Sequence, residues 1–156
     1  MLSIAHPKFI VAAPTLWLIL KNSSRVFDPL GYVAPVVLPA KLLLKTIRQN
    51  GYEWDKGLSE TLQNQWYRIY SDLEKLSSLK LQRYAPVNDS TTLHVFSSAS
   101  GIGNGFAVYQ RTELQNEIVV QLIFAKARVN PSGKQNGNQM SIPNLELLAA
   151  ALATAH

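Results

Sequence analysis

The spacing of apolar residues is clearest between residues 59 and 76, where it predicts an amphipathic helix. The apolar residues that recur there, at steps of four, three, four and three, are Leu62, Trp66, Ile69, Leu73 and Leu76. This spacing places all of them on one side of a helix. Ser59 suits the N-cap position and Glu60 suits the first turn, so the helix start is also marked. We predict that the apolar side packs into a hydrophobic core.

The first part of the chain is strongly apolar but short. Phe9 to Leu20 is twelve residues long and contains Pro14. A helix needs about 20 apolar residues to cross a bilayer, and proline interrupts helices. We therefore expect no stable membrane span. A buried segment or a tail is favoured, and a signal or anchor segment stays open as the alternative.

Three prolines predict irregular structure before the next helix. Pro29, Pro35 and Pro39 follow one another at short intervals, which indicates a turn-rich passage. A helix is expected from about Pro39 to Asn50. Its leucines and Ile47 fall on one side and its basic residues on another.

The second half of the chain has the pattern of strands followed by a helix. A polar linker at Tyr84–Ser90 separates it from the first half. The predicted strands are Leu93–Ser98, Gly105–Arg111 and Glu117–Val129, and their short connections favour antiparallel pairing. A polar, Gly-rich loop follows, and Pro143 then opens an Ala- and Leu-rich helix. The fold class is therefore α+β.

The cysteine content excludes two kinds of site, and the net charge suggests one class of partner. The chain carries a net charge of +5 and has no cysteine, which excludes disulfides and thiolate zinc sites. A basic surplus suits a polyanionic partner such as nucleic acid, although ordinary surface charge explains it too. The candidate phosphate-binding residues are Lys41, Lys45, Arg48, Lys126, Arg128 and Lys134. A stacking platform for bases, formed by Trp54, Trp66, Tyr67 and Tyr70, is less favoured because Trp66 belongs to the predicted apolar stripe.

Five separated stretches together resemble a known family. They read SRVFDPLGYVAPVVLPAKLLLK, GYEWDKGL, LHVFSSASGIGNGFAVY, AKARV and IPNLELLAA. In this order they resemble the Pol polyprotein of Bel/Pao long-terminal-repeat retrotransposons, from about Ser24 to the end. The resemblance implies a helical connection-like segment at 24–84, after the reverse transcriptase, and an incomplete ribonuclease-H-like β-β-β-α unit at 91–156. Residues 1–23 stay unassigned.

The resemblance also implies a chemistry, which this chain carries only in part. The complete family enzyme uses Mg²⁺ to hydrolyse RNA in an RNA–DNA hybrid, with several carboxylates holding two metal ions. Ser98 stands where the family has its first catalytic aspartate, and Glu146 matches a second carboxylate. The remaining aspartates would follow His156. Asn104 and Asn144 also depart from the residues usual in the family.

A neutral hydroxyl is a weak Mg²⁺ ligand, and one glutamate cannot neutralise two dications. We therefore expect no bound metal and no catalysis. A Ser98 nucleophile with His94 as its base is disfavoured, because no nucleophile motif surrounds it. The preferred hypothesis is an inactive, degenerate Pol fragment. The alternatives are a non-catalytic nucleic-acid-binding module and a remnant reading frame without a role. We expect an intracellular location, in the cytoplasm or nucleus, and the oligomeric state stays open.

Overall fold

The computed structural model describes residues 2–3, 8–10, 12–82, 84–130 and 140–154. The chain divides into two compact units. The helical unit comprises Met1–Pro29 and Val33–Gln82, and the sheet unit comprises Leu30–Tyr32 and Arg83–His156. The assignment of the first part of the chain to a connection-like segment stays a prediction.

The helical unit is built from helices that pack in sequence order. Its helices are α1 (Leu16–Ser24), α2 (Ala34–Gln49) and α3 (Glu60–Lys75), and a 3₁₀ turn at Leu76–Ser78 follows α3. Two short strands, β1 (Leu2–Ser3) and β2 (Lys80–Leu81), pair antiparallel. Helix α2 packs against both α1 and α3, so it is central to the unit.

The core of the helical unit confirms the predicted apolar stripe on α3. Trp66 is 2% exposed and Leu73 is fully buried, and Leu62 and Leu76 join the same cluster. Ile69 packs against it from the side. Ser59 occupies the N-cap position of α3 with an extended backbone, but its side chain makes no capping hydrogen bond. The period of the stripe therefore predicted the buried face correctly.

Helix α1 places the apolar N-terminal segment in this core. Leu16, Leu18 and Ile19 are buried, and Thr15 caps the helix by accepting a hydrogen bond from the Leu18 N–H at 3.2 Å. The Asn22 side chain exchanges two hydrogen bonds with the backbone of Ile10, at 2.9 and 3.0 Å. None of the helices in the described ranges has both the length and the apolar character that a membrane crossing requires.

The predicted start of α2 at Pro39 is wrong, because the helix already begins at Ala34. Pro35 lies in the first turn, where backbone N–H groups have no partner within the helix, so proline costs nothing there. Pro39 lies one turn further on and removes a single hydrogen bond. Burial of Val37, Ala40 and Leu43 on the same side outweighs this loss.

The sheet unit has the predicted β-β-β-α order. Its strands are β3 (Thr92–Ala99), β4 (Gly103–Glu113) and β5 (Ile118–Val129), and its helix is α4 (Ile142–Thr154). The strands form an antiparallel sheet in the order β3-β4-β5. A register shift at Val108/Tyr109 marks a bulge in the β4–β5 ladder. The α+β class predicted from the sequence is confirmed.

Helix α4 packs along β3 and β4. Phe106 on β4 and Leu145 and Ala149 on α4 are the buried apolar residues of this unit. The ring of Phe106 lies against that of Phe124 on β5, with 5.8 Å between the ring centres. In contrast, Leu93 and Phe96 on β3 are 62% and 61% exposed. Strand β3 is therefore positioned mainly by its ladder with β4, and it contributes little to the core.

Two leucines on α4 provide a matched test of this packing. Leu145 is 4% exposed and Leu147 is 71% exposed. Leu145→Ala should lower the free energy of unfolding by about 2–5 kcal/mol, because it opens a cavity in the core. Leu147→Ala should change it by no more than about 0.5 kcal/mol. Urea unfolding followed by circular dichroism measures both, and equal losses would contradict the orientation of α4.

Candidate functional site

Ser98 lies on β3 with an exposed side chain. It pairs in register with Gly105 on β4, so its cross-strand neighbour has no side chain. A Cβ atom at Gly105 would lie 2.7 Å from the Lys126 carbonyl oxygen on β5, which is closer than backbone atoms allow. Position 105 therefore requires glycine. Because glycine has no side chain, nothing from position 105 covers the Ser98 hydroxyl.

Glu146 lies on α4, one residue beyond the buried Leu145, and its side chain is exposed. It follows the first turn of the helix, which contains no acidic residue. Because α4 packs against β3, the positions of Ser98 and Glu146 lie on two elements in contact. The catalytic roles of these two positions stay predictions.

These residues do not fit a pair of Mg²⁺ ions. A two-metal site needs several carboxylate oxygens to offset four positive charges. Ser98 supplies only a neutral hydroxyl, and Glu146 supplies one carboxylate. Within the described ranges, no three side chains of histidine, cysteine, aspartate or glutamate lie together as a metal site would require.

A nucleophilic role for Ser98 receives no support from His94. The His94 ring nitrogen Nε2 lies 3.1 Å from the Thr92 hydroxyl, on the side away from Ser98. Ser98 and His94 share a face of β3 but are four residues apart, which is about 13 Å along a strand. Phe96 lies between them and packs edge-on against Tyr109. The imidazole is therefore out of reach of the hydroxyl.

Sequence reasoning missed a buried amide network beside this site. Asn104 and Asn130 are 7% and 5% exposed. The Asn104 side-chain amide donates to the Asn130 side-chain oxygen at 2.7 Å, and Asn130 donates to the Ser100 carbonyl at 2.6 Å. These bonds link the β3–β4 turn to the end of β5. Asn104, which differs from the residue usual in the family, therefore has a structural role. The sequence alone does not reveal this role, because the partner, Asn130, is 26 residues away.

Three candidate phosphate-binding residues lie on α2. Lys41 and Arg48 are exposed and Lys45 is half-buried. Spacings of four and three residues bring them onto one side of the helix. A different side of the helix buries Leu43 and Ile47. Helix α2 contains no aspartate or glutamate. We call these three residues the α2 basic side.

The other candidates belong to the sheet unit or lie outside the described residues. Lys126 and Arg128 are two residues apart on β5, so they share one face of the strand. They pair in register with Phe106 and Asn104. Lys134 lies outside the described residues. The six predicted residues therefore include two separate groups of cations, one in each unit.

A three-stranded antiparallel sheet with the following helix packed on its first two strands is the opening arrangement of a ribonuclease-H-like domain. The family model described as the Pao retrotransposon-like RNaseH-like domain matches residues 16–156. The chain belongs to this family. The match begins in α1, ahead of Ser24, where the resemblance seen in the sequence starts. No curated protein and no solved structure matches the chain.

Placing a carboxylate at position 98, as the family resemblance implies, provides a test of the metal chemistry. Ser98→Asp should tighten Mn²⁺ binding roughly tenfold, the change that ~1.4 kcal/mol of added attraction produces. Ser97→Asp is the matched control, because Ser97 is exposed on the same strand but faces the opposite side. Isothermal titration calorimetry measures both variants.

The gain should disappear in the double variant Ser98→Asp/Glu146→Gln. An equal gain from Ser97→Asp would show that any added charge is sufficient. Binding of two ions by the unsubstituted chain would contradict the analysis of the donor set.

Proposed function

We propose that this ribonuclease-H-like chain binds nucleic acid and does not hydrolyse it. The observation that carries the binding proposal is the α2 basic side, which presents Lys41, Lys45 and Arg48 on a helix without any acidic residue. The partner proposed is an RNA–DNA hybrid or another nucleic acid. Such a partner is available in the cytoplasm and in the nucleus, the two locations predicted from the sequence.

The dimensions of the α2 basic side suit a phosphate backbone. Lys41 and Arg48 are seven residues apart, which is about 10 Å along a helix axis. One strand of a B-form duplex carries a phosphate about every 3.4 Å along its axis. The three cations can therefore follow one strand over a few nucleotides. Each contact would release a condensed counterion, which is the main source of affinity in sequence-independent binding.

The absence of hydrolysis is proposed from the chemistry of position 98. A phosphodiester and a carboxylate repel each other unless metal ions lie between them, and the metals also activate the attacking water. With Ser98 the chain offers a hydroxyl where the family resemblance implies a carboxylate. Glu146 alone supports neither a bridging pair of ions nor an activated water.

A cleavage assay tests the catalytic part of the proposal. The purified chain, mixed with a labelled RNA–DNA hybrid and Mg²⁺, should release no product above the rate without protein. Glu146→Gln should leave this result unchanged, because the residue completes no metal site. Gel analysis of the labelled RNA strand measures the outcome. Cleavage by the unsubstituted chain that Glu146→Gln abolishes would overturn the proposal.

A salt titration tests the binding part. The slope of log affinity against log salt should be negative for the unsubstituted chain, at about −0.9 for each phosphate contacted in a duplex. Lys41→Gln combined with Lys45→Gln should make the slope less negative by about 2, because two phosphate contacts are lost. Fluorescence anisotropy of a labelled hybrid measures both proteins.

The matched control is Arg68→Gln combined with Lys75→Gln, which removes the same charge from exposed positions on α3. Lys75 already forms an ion pair with Asp72 at 2.9 Å. The control should keep the slope of the unsubstituted chain. A slope near zero for the unsubstituted chain would exclude phosphate binding, and an equal effect of the control would exclude α2 as its location.

A further inference from the structure

Two tryptophans of the helical unit are exposed next to each other. Trp17 is 45% exposed and Trp54 is 46% exposed, whereas Trp66 is 2% exposed in the core. Exposed indole rings forgo the large gain that burial of an aromatic side chain provides. We call Trp17 and Trp54 the tryptophan pair.

The backbone fixes the tryptophan pair in place. The Trp17 N–H donates to the Trp54 carbonyl at 3.1 Å, and the Leu58 N–H donates to the Pro14 carbonyl at 3.4 Å. Between these two bonds, Thr15 and Gly57 form an antiparallel bridge. These backbone contacts hold the start of α1 against the loop before α3, so Trp17 and Trp54 lie on two joined segments.

Each ring of the tryptophan pair carries a cation on its face. The Lys21 ammonium lies 4.2 Å from the centre of the Trp17 ring, and the Arg48 guanidinium lies 5.8 Å from that of Trp54. Both distances are within the range of cation–π attraction. Arg48 also belongs to the α2 basic side, so the aromatic rings and the basic side adjoin each other.

We propose that the tryptophan pair stacks the bases of single-stranded nucleic acid while Lys21 and Arg48 bind the neighbouring phosphates. This inference rests on the proposed function and specifies its substrate class. Single-strand binding requires planar aromatic surfaces for bases and a basic surface for the backbone. Both are present here on residues from α1, α2 and the loop before α3, in one unit.

A membrane surface is the other ligand that tryptophan and lysine can favour, and the structure argues against it. Interfacial binding needs a helix with a continuous apolar face available to lipid. In helix α1, Leu16, Leu18 and Ile19 are buried, and the exposed apolar residues Trp17 and Leu20 are too few to form such a face. Glu53 and Asp55 are exposed on either side of Trp54, and their charges would oppose a broad anionic surface. A single strand would meet the Trp54 ring with an uncharged base and place its phosphates beside Lys21 and Arg48.

The test compares two probes that differ only in their bases. A short oligothymidylate and an abasic oligonucleotide of the same length carry the same phosphates. The chain should bind the oligothymidylate more tightly than the abasic probe, by about five- to a hundredfold for each base that stacks. Stacking should also quench the fluorescence of the exposed tryptophans, while the buried Trp66 supplies a constant background.

Substitutions then locate the stacking surface. Trp17→Ala and Trp54→Ala should each remove most of the preference for the oligothymidylate over the abasic probe. Tyr67→Ala is the matched control, since it removes an aromatic side chain that is 50% exposed on α3. Trp17→Phe and Trp54→Phe keep a ring in place, so both should retain part of the preference.

The possible outcomes separate this inference from the proposed function. Equal, salt-dependent binding of both probes would overturn base stacking and leave phosphate binding in place. If the chain binds neither of the two probes nor the hybrid, both proposals are overturned. Tryptophan-dependent binding to phosphatidylserine vesicles, with no preference between the probes, would replace the inference with a membrane surface. A preference that survives both alanine variants would also overturn it.

Discussion

Side-chain alternation along an antiparallel ladder is the constraint on which the chemistry of the sheet unit depends. The register pairs Ser98 with Gly105 and Ser97 with Phe106, and paired residues share one face of the sheet. Ser98 and Ser97 therefore face opposite sides. The carboxylate that the family resemblance implies at position 98 cannot be supplied from position 97, because a shift of one residue would move every side chain of β3 to the other face.

The sequence predicted those features that arise from local periodicity. The stripe on α3 and the three strands repeat with the periods of a helix and of a ladder, so neighbouring residues were sufficient to identify them. The start of α2 was missed because proline has a different cost in the first turn of a helix than further inside it. Asn104 and Trp17 could not be assigned partners, because Asn130 and Trp54 come close to them only in the folded chain.

A hydroxyl in place of a carboxylate at position 98 would have opposite effects on hydrolysis and on binding. A complete site of this kind repels phosphate until metal ions neutralise it, so metal loading and substrate binding depend on each other. With a hydroxyl at Ser98, one negative charge is absent and the electrostatic barrier to a phosphate is lower at that point. Under the proposed function, the same hydroxyl would weaken catalysis and favour metal-independent contact with a polyanion.

Phosphate contacts and base stacking respond differently to salt, so the two proposed modes of binding would give the helical unit two separable sources of affinity. Contacts made by Lys41 and Lys45 would release counterions, and their contribution would fall as the salt concentration rises. Stacking on Trp17 and Trp54 would displace water from apolar ring faces, and salt does not screen that gain. Arg48 adjoins both groups, since it lies on the α2 basic side and over the Trp54 ring. Affinity that persists at high salt would therefore come from the tryptophan pair, and the salt-sensitive remainder would come from the cations.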